Sequence, residues 1–264
     1  MKPESIQGTE QRPAEGGRPS RPGSEGAPRP GEAGIKLPEI PKDPTFVNFL
    51  CYSLDPAFRR LPEAERSAGI REFVKALAQS RSDVQIRAYL GIGLRHDTDF
   101  FIWAIAKDLA PFQSLTADLL RGGMGRYLKA PYTFLAMTRP SVYNPGHIPA
   151  FEAGEKPRKY LFLYPFVKSR EWYLLPFEER RRMMRGHMAV GELYPMVRLN
   201  TTYSFGLGDQ DFVLAFETDE PAAFEDLVQR LRESEASRYT VRDTPFILGQ
   251  RCADGEALIG GLGL

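Results

Sequence analysis

Residues Phe100–Ala106 read FFIWAIA. Successive side chains of a strand point to opposite faces, so a run like this has no polar side to offer water. Both faces must be covered, which predicts a central strand held between two apolar layers.

The neighbouring segments fit such a sheet. Phe46–Tyr52 (FVNFLCY) predicts a strand. Pro62–Gln79 predicts a helix, with the proline near its first turn and Ile70, Phe73, Val74 and Leu77 at helical spacing. Val84–Gly93 and Thr98–Lys107 predict two strands around a turn at Leu94–Asp97. Ser114–Leu120 is a short helix and Tyr132–Met137 a further strand, giving the order β-α-β-β-α-β. Residues 140–157 carry Pro140, Pro145, Pro149 and Pro157 and read as a linker. The order then repeats. Strands are predicted at Lys159–Val167, Met196–Phe205, Asp211–Glu217 and Tyr239–Leu248, and helices at Pro176–Val190 and Pro221–Glu235. The predicted class is α+β, with ferredoxin-like halves at 44–139 and 158–252 and a C-terminal tail at 253–264. Spacing alone leaves open whether the two sheets lie side by side or pack together.

Composition matters most at the N-terminus. Residues 1–41 hold 8 Pro, 7 Gly and no aromatic residue, with 6 basic and 6 acidic side chains. Such a segment buries too little apolar surface to offset its ordering entropy and reads as a disordered tail. Over the 264 residues, 35 basic side chains face 34 acidic ones, so no global charge recruits nucleic acid or an anionic membrane. No run of 18 apolar residues predicts a transmembrane helix, and no apolar stretch follows Met1-Lys2, so the expected location is the cytoplasm. Cys51 and Cys252 form no disulfide framework and read as free thiols. Walker, Rossmann, GxSxG, HExxH and CxxC patterns are absent from the sequence.

With three histidines in the chain, each bears on function. His96 falls in a predicted hairpin turn and His147 in the linker, where exposed structural roles are expected. On the helix from Pro176, His187 is predicted to share a face with Phe177, Met184, Met188 and Gly191, while Arg180, Arg181, Arg182 and Arg185 cover the other side. A core histidine satisfied by one hydrogen bond is one reading. The other is an axial ligand, since one histidine suffices to hold a haem iron. On the helix from Pro221, the stripe Phe224, Leu227, Val228 and Leu231 continues to Glu235, which would be partly buried. It either meets His187 and fixes its tautomer, or turns to solvent, or pairs with Arg232 or Arg238. Strand alternation puts Tyr160, Phe162, Tyr164, Phe166 and Lys168 on one face. A phenol and an ammonium projecting together suit acid–base or radical chemistry; the alternative is an edge tyrosine and a snorkelling lysine.

These segments carry a resemblance. Tyr164-Pro165-Phe166-Val167-Lys168, Glu171-Trp172-Tyr173, the run Glu178–His187, the run Tyr203–Phe212 (YSFGLGDQDF), and Leu231-Arg232 with Glu235–Tyr239 are similar to the chlorite dismutase family, which includes coproheme decarboxylases. The match in motif lies within residues 160–250; the N-terminal half matches in element order and length. The resemblance implies two ferredoxin-like halves forming a dimeric α/β-barrel-like chain, assembly as a homopentamer, and haem b or coproheme in the C-terminal half. It implies His187 as the iron ligand, Glu235 as the partner behind it, Tyr164 as the residue that helps oxidise a propionate with Lys168 beside it, and Ser237 as a propionate contact. Trp172 would line the same site.

Family members divide by the residue opposite the iron ligand. Dismutases place an arginine there, and many decarboxylases a glutamine or alanine. Aligning backward from Gly206-Leu207 puts Leu199 at that position; counting forward from His187 puts Asn200 there. An aliphatic residue offers chlorite no donor, although Glu171-Trp172-Tyr173 leans toward the dismutases. The expected activity is peroxide-dependent decarboxylation of iron coproporphyrin. The alternatives are chlorite dismutation, peroxidase activity, and haem binding or transfer without turnover.

Overall fold

A computed structural model of the protein describes residues 43–79 and 82–264. The expected tail at 1–41 lies outside the described residues. The first half runs β1 (Phe46–Leu54), α1 (Glu63–Ala78), β2 (Val84–Leu90), β3 (Phe100–Ala106), α2 (Ala110–Leu120) and β4 (Leu128–Met137). The second runs β5 (Tyr160–Lys168), α3 (Arg170–Leu174), α4 (Phe177–Glu192), β6 (Arg198–Tyr203), β7 (Phe212–Thr218), α5 (Pro221–Glu233), β8 (Thr240–Arg242) and β9 (Ile247–Arg251). A last helix, α6 (Gly255–Gly261), follows.

Each half has the antiparallel strand order expected of a ferredoxin-like unit, β4-β1-β3-β2 and β6-β7-β5-β9. Edge strands then join the halves. β4 meets β6 at Met137 and Tyr203, and β2 meets β9 at Tyr89–Arg251 and Leu90–Gln250. The eight strands thus close on themselves, and β8 pairs with the end of β5 outside this ring. Closure answers the question that spacing left open, and it leaves no long edge for another chain to pair with.

Strand alternation now has a direct meaning. Phe101, Trp103 and Ile105 point into the barrel with Val47 and Phe49 of β1 and Leu161 and Leu163 of β5. Phe100, Ile102 and Ala104 point outward, under α1 and α2, against Phe73, Leu115 and Leu119. This is why the segment is apolar on both sides. Fully burying a side chain of this size is worth about 1.5–3 kcal/mol, so the central strand is the strongest local anchor of the first half. Inside the barrel Tyr89 and Phe101 stack with ring centroids 5.0 Å apart. A Cβ on Gly249 of β9 would lie 2.5 Å from the Phe101 ring, so only glycine fits there.

Several boundaries differ from the sequence-based expectation; β4, for example, begins at Leu128 rather than Tyr132, and α3 is an added helix. The segment expected as one strand at Tyr239–Leu248 is two strands, β8 and β9, because Pro245 between them has no N–H to donate to a ladder. α2 begins at Ala110 rather than Ser114, with Pro111 accommodated in its first turn. The expected C-terminal tail is instead a capped helix. Asp254 accepts a hydrogen bond from the Ala257 N–H at 2.8 Å, and Leu258, Ile259 and Leu262 are buried against the first half. Its glycines permit this approach: a Cβ on Gly261 would come within 2.5 Å of Leu90. Cys51 is buried in the barrel and Cys252 half-buried, both as free thiols. Among the described residues no helix is long and apolar enough to cross a membrane.

Candidate functional site

The outer face of the second sheet carries Tyr164, Leu199 and Lys168, and the other residues singled out above lie on the elements around it. Tyr164 lies on that face of β5, 5 % exposed, stacked on Phe216 at 5.8 Å and touching Phe246 at 4.4 Å. Burial pushes its phenol well above the ordinary tyrosine range, so the hydroxyl keeps its proton. Leu199 of β6 is paired with Phe216 in the ladder and belongs to the same apolar cluster. Asn200 points the other way, into the barrel, fully buried, accepting from the Phe151 N–H and donating to the Ala215 carbonyl. Leu199, not Asn200, therefore shares a face with Tyr164. Arg198 is directed to Glu155 at 3.0 Å and to the Lys156 carbonyl.

Lys168 ends the same strand face but does not approach Tyr164. Four residues of strand separate their Cα atoms by about 13 Å. The Lys168 Nζ donates to the Ala236 carbonyl at 2.5 Å and lies 4.7 Å from the Trp172 ring. Burial pulls its ammonium down to about 8. The expectation that phenol and ammonium project as a pair is corrected to two groups on one face with separate neighbours. Trp172, on α3, is buried with Met183 and Ala236, its ring 5.5 Å from that of Tyr239.

His187 lies on α4, half-buried, and makes no hydrogen bond among the described residues. Burial, with the Lys168 charge as a second cause, pulls its imidazole down to about 4, so it is neutral at physiological pH. The expected face holds in part: Met184, His187, Met188 and Gly191 are partly buried, Met183 joins them as the buried side chain of the helix, and Phe177 departs from it at 41 % exposed. Tyr143 of the linker stacks on Phe177 at 5.9 Å, a covering that periodicity within the helix cannot reveal.

Glu235 requires the main correction. α5 ends at Glu233 because Ser234 is extended (φ −72°, ψ 147°), so Glu235 opens a short 3₁₀ turn rather than continuing the apolar stripe. Its carboxylate is exposed and pairs with Arg182 of α4 at 2.8 Å, not with His187, Arg232 or Arg238. That hydrogen bond holds the carboxyl below its usual range. His187 and Glu235 nevertheless line one cavity of about 330 Å³, with Arg182, Gly186 and Val190 from α4 and Arg230 from α5. The Ser237 hydroxyl donates to the Arg232 carbonyl at 2.7 Å. His96 and His147 are exposed, as expected.

Two residues at this end were not singled out from sequence. Arg182 was counted with a solvent-covering arginine run, and only the fold shows that it reaches Glu235. Asp211 accepts from the Tyr173 hydroxyl at 2.7 Å and from the Lys168 backbone N–H at 2.8 Å, fixing the end of β5.

Comparison with known proteins gives this arrangement its relatives. The family model described as chlorite dismutase matches residues 66–252. The chain belongs to the chlorite dismutase family. It is 46 % identical over 160 residues to a coproheme decarboxylase of Mycolicibacterium smegmatis, covering 60 % of this chain and 69 % of that protein. It is 28 % identical over 215 residues to a chlorite dismutase of Ideonella dechloratans, covering 77 % of this chain and 75 % of the other. A solved structure of a chlorite dismutase variant from Candidatus Nitrospira defluvii superposes with a TM-score of 0.76 at 23 % identity, over 84 % of this chain and 97 % of that one. Within this family fold, the His187 cavity is lined by α4 and the end of α5, and Val190 of its wall also packs in the apolar cluster around Tyr164.

Proposed function

We propose that this chlorite dismutase family member is a coproheme decarboxylase, which converts two propionates of iron coproporphyrin to vinyl groups with hydrogen peroxide as oxidant. Each step is balanced: a propionate loses carbon dioxide, one proton and two electrons to become a vinyl group, and peroxide takes the two electrons with two protons to become two waters. The residues fit an iron porphyrin. His187 is an uncharged imidazole without a hydrogen-bond partner, facing a cavity, which is the state a metal ligand needs. Val190 joins the cavity wall to the aromatic and aliphatic cluster around Tyr164, Arg182 and Arg230 on the wall suit propionates, and the Lys168 charge acts on His187.

When bound, the iron supplies the redox chemistry with peroxide. His187 would hold it, and Glu235, on the same cavity wall, would tune that imidazole. Tyr164 is a protonated, buried phenol able to relay an oxidising equivalent as a radical to the propionate. Lys168, still largely charged at neutral pH, would orient that propionate or manage its proton, with Ser237 as a further contact. Trp172 would line the pocket beside Lys168.

The observation that carries this reading over chlorite dismutation is Leu199, the aliphatic side chain on the Tyr164 face, which has no donor for an oxyanion. The similarity to the Mycolicibacterium smegmatis coproheme decarboxylase supports the same choice. A chlorite dismutase or peroxidase remains the second reading, favoured by the similarity to the Ideonella dechloratans enzyme. A haem carrier without turnover would have no use for the buried Tyr164 phenol. Assembly as a homopentamer and a cytoplasmic location complete the proposal.

The test loads the full-length protein with iron coproporphyrin, titrates peroxide and weighs the porphyrin. Two stepwise losses of carbon dioxide with two hydrogens are expected. Bound but unaltered porphyrin would overturn the decarboxylase, and oxygen evolution from chlorite would then point to the dismutase. His187→Ala should change the absorption spectrum of the bound iron; an unchanged spectrum would remove His187 as ligand.

A further inference from the structure

Away from the His187 cavity, the linker between the halves sends Phe151 into the apolar cluster inside the barrel. Phe151 is buried against Trp103, with ring centroids 5.2 Å apart, and its N–H donates to Asn200. Glu155 and the Lys156 carbonyl are held by Arg198. Beneath this strap is a cavity of about 380 Å³ that shares no residue with the one beside His187. β2 contributes Gln85 and Arg87, the linker contributes Glu155 and Lys156, and β9 contributes Arg251.

Arg87 is the unusual member. Its side chain is only 7 % exposed; its sealed Nε and Nη1, beside the Tyr89 hydroxyl, have no well-formed hydrogen bond, and its Nη2, outside that sealed set, has no hydrogen-bond partner among the described residues. Glu217 of β7 lies 3.5 Å from Nη1, close enough for an ion pair but without hydrogen-bond geometry, and its own Oε1 is also unsatisfied. The guanidinium lies 4.8 Å from the Trp103 ring. Buried guanidinium N–H groups left unpaired cost free energy, and wild-type folds rarely carry them without a water or ligand to receive them. The charge balance at the mouth favours an anion: Lys156 and Arg251 have no ion-pair partner among the described residues, whereas Glu155 is already neutralised by Arg198.

We propose that this cavity is a second binding site, for a small oxyanion such as a carboxylate, bicarbonate or phosphate, seated on Arg87 with Lys156 and Arg251 at its open mouth. The site is built from both halves and the strap that joins them, so occupancy would tie the barrel closed at this end. It is independent of the function proposed above, since none of its residues faces the His187 cavity.

The test is calorimetric titration of the full-length protein with formate, bicarbonate and inorganic phosphate in turn, with chloride as a control for general ionic strength. Saturable binding of at least one oxyanion, one per chain, is expected. Lys156→Ala with Arg251→Ala changes only exposed side chains and should weaken it about tenfold or more, roughly 1.4 kcal/mol. Arg87→Lys keeps a charge opposite Glu217 and should weaken it further while the protein stays folded. His187→Ala should leave it unchanged. Absence of oxyanion binding at millimolar concentration, or binding indifferent to both the mouth and Arg87 substitutions, would overturn the site. Binding lost in His187→Ala would move the anion to the other cavity and overturn it equally.

Discussion

The two halves of the barrel share one strand order and differ in what lies on their outer face. On the first half, α1, α2 and α6 seal the sheet: Phe58, Phe73, Phe100, Leu115, Leu119 and Leu258 are almost wholly removed from water. On the second, α4 buries only Met183, and Phe162, Phe166, Val190, Leu199 and Leu231 stay partly open around Tyr164. The same topology thus supports a packed layer and a loose one. The loose layer is where a half-buried imidazole, an ammonium pulled toward neutrality and a set of arginines accumulate. Dense packing supplies stability in one half, and a cavity is left beside the other.

The strongest way to break the comparison is to perturb chemistry without packing. Tyr164→Phe removes one hydroxyl from a ring otherwise held by Phe216 and Phe246. Decarboxylation should fall by a factor of about a thousand or more, roughly 4 kcal/mol in the barrier, while porphyrin affinity stays within about twofold. Activity near the wild-type level would end the radical role. The next largest effect is on folding. Phe73→Ala in the sealed layer should lower unfolding free energy by about 3–5 kcal/mol, and Met183→Ala in the loose layer by less, nearer about 2 kcal/mol. Equal losses in urea denaturation would mean that the second layer is packed as tightly as the first.

A smaller effect is read through pH. The Lys168 ammonium is pulled from its ordinary 10.5 to about 8 by burial. Lowering the value of a base in the fold means that the unfolded chain holds its proton to higher pH. This group therefore opposes folding below about 8, and stability rises with pH through the interval up to 10.5. Propionate binding follows the opposite course. The ammonium fraction falls above about 8, so porphyrin affinity should decline by up to tenfold per pH unit there, and Lys168→Met should flatten that decline. A wild-type profile with the same shape as that of the variant would remove Lys168 from propionate binding.

Strand faces were legible in the sequence because a period of two admits one phase: FFIWAIA and the Tyr160–Lys168 alternation both fell where expected. Helix α4 was less so. Its Met184, His187, Met188 and Gly191 face was read, but the buried Met183 was not, and Phe177, expected on that face, is covered only by Tyr143 of the linker. The glycines after β9 suggested a tail, but in the fold they let α6 approach Leu90. Closure of the barrel rests on pairings such as Leu90 with Gln250, between strands far apart in sequence, which no local pattern encodes. Glu235 was found by extending a stripe past the residue that ends its helix, which is why its neighbour came out as Arg182.

That last contact sets up the smallest expected effect. Arg182 holds the Glu235 carboxyl below its usual range, so the pair contributes stability above about 4.5 that is lost as pH falls through the lowered folded value. Both side chains are about half exposed, and exposed pairs contribute little. Glu235→Gln should therefore barely move the denaturation midpoint of the free protein at neutral pH, and any difference should vanish in acid. The porphyrin-loaded protein separates two roles for this carboxylate. If Glu235 exchanges Arg182 for the imidazole of His187, Glu235→Gln removes a partner that makes the imidazole a stronger donor, and the iron midpoint potential should rise. Arg182→Gln would free the carboxylate and leave that potential near the wild-type value. A potential unmoved by Glu235→Gln would leave the residue as the partner of an arginine alone, and the loose layer would then hold its ligand through His187 without a carboxylate behind it.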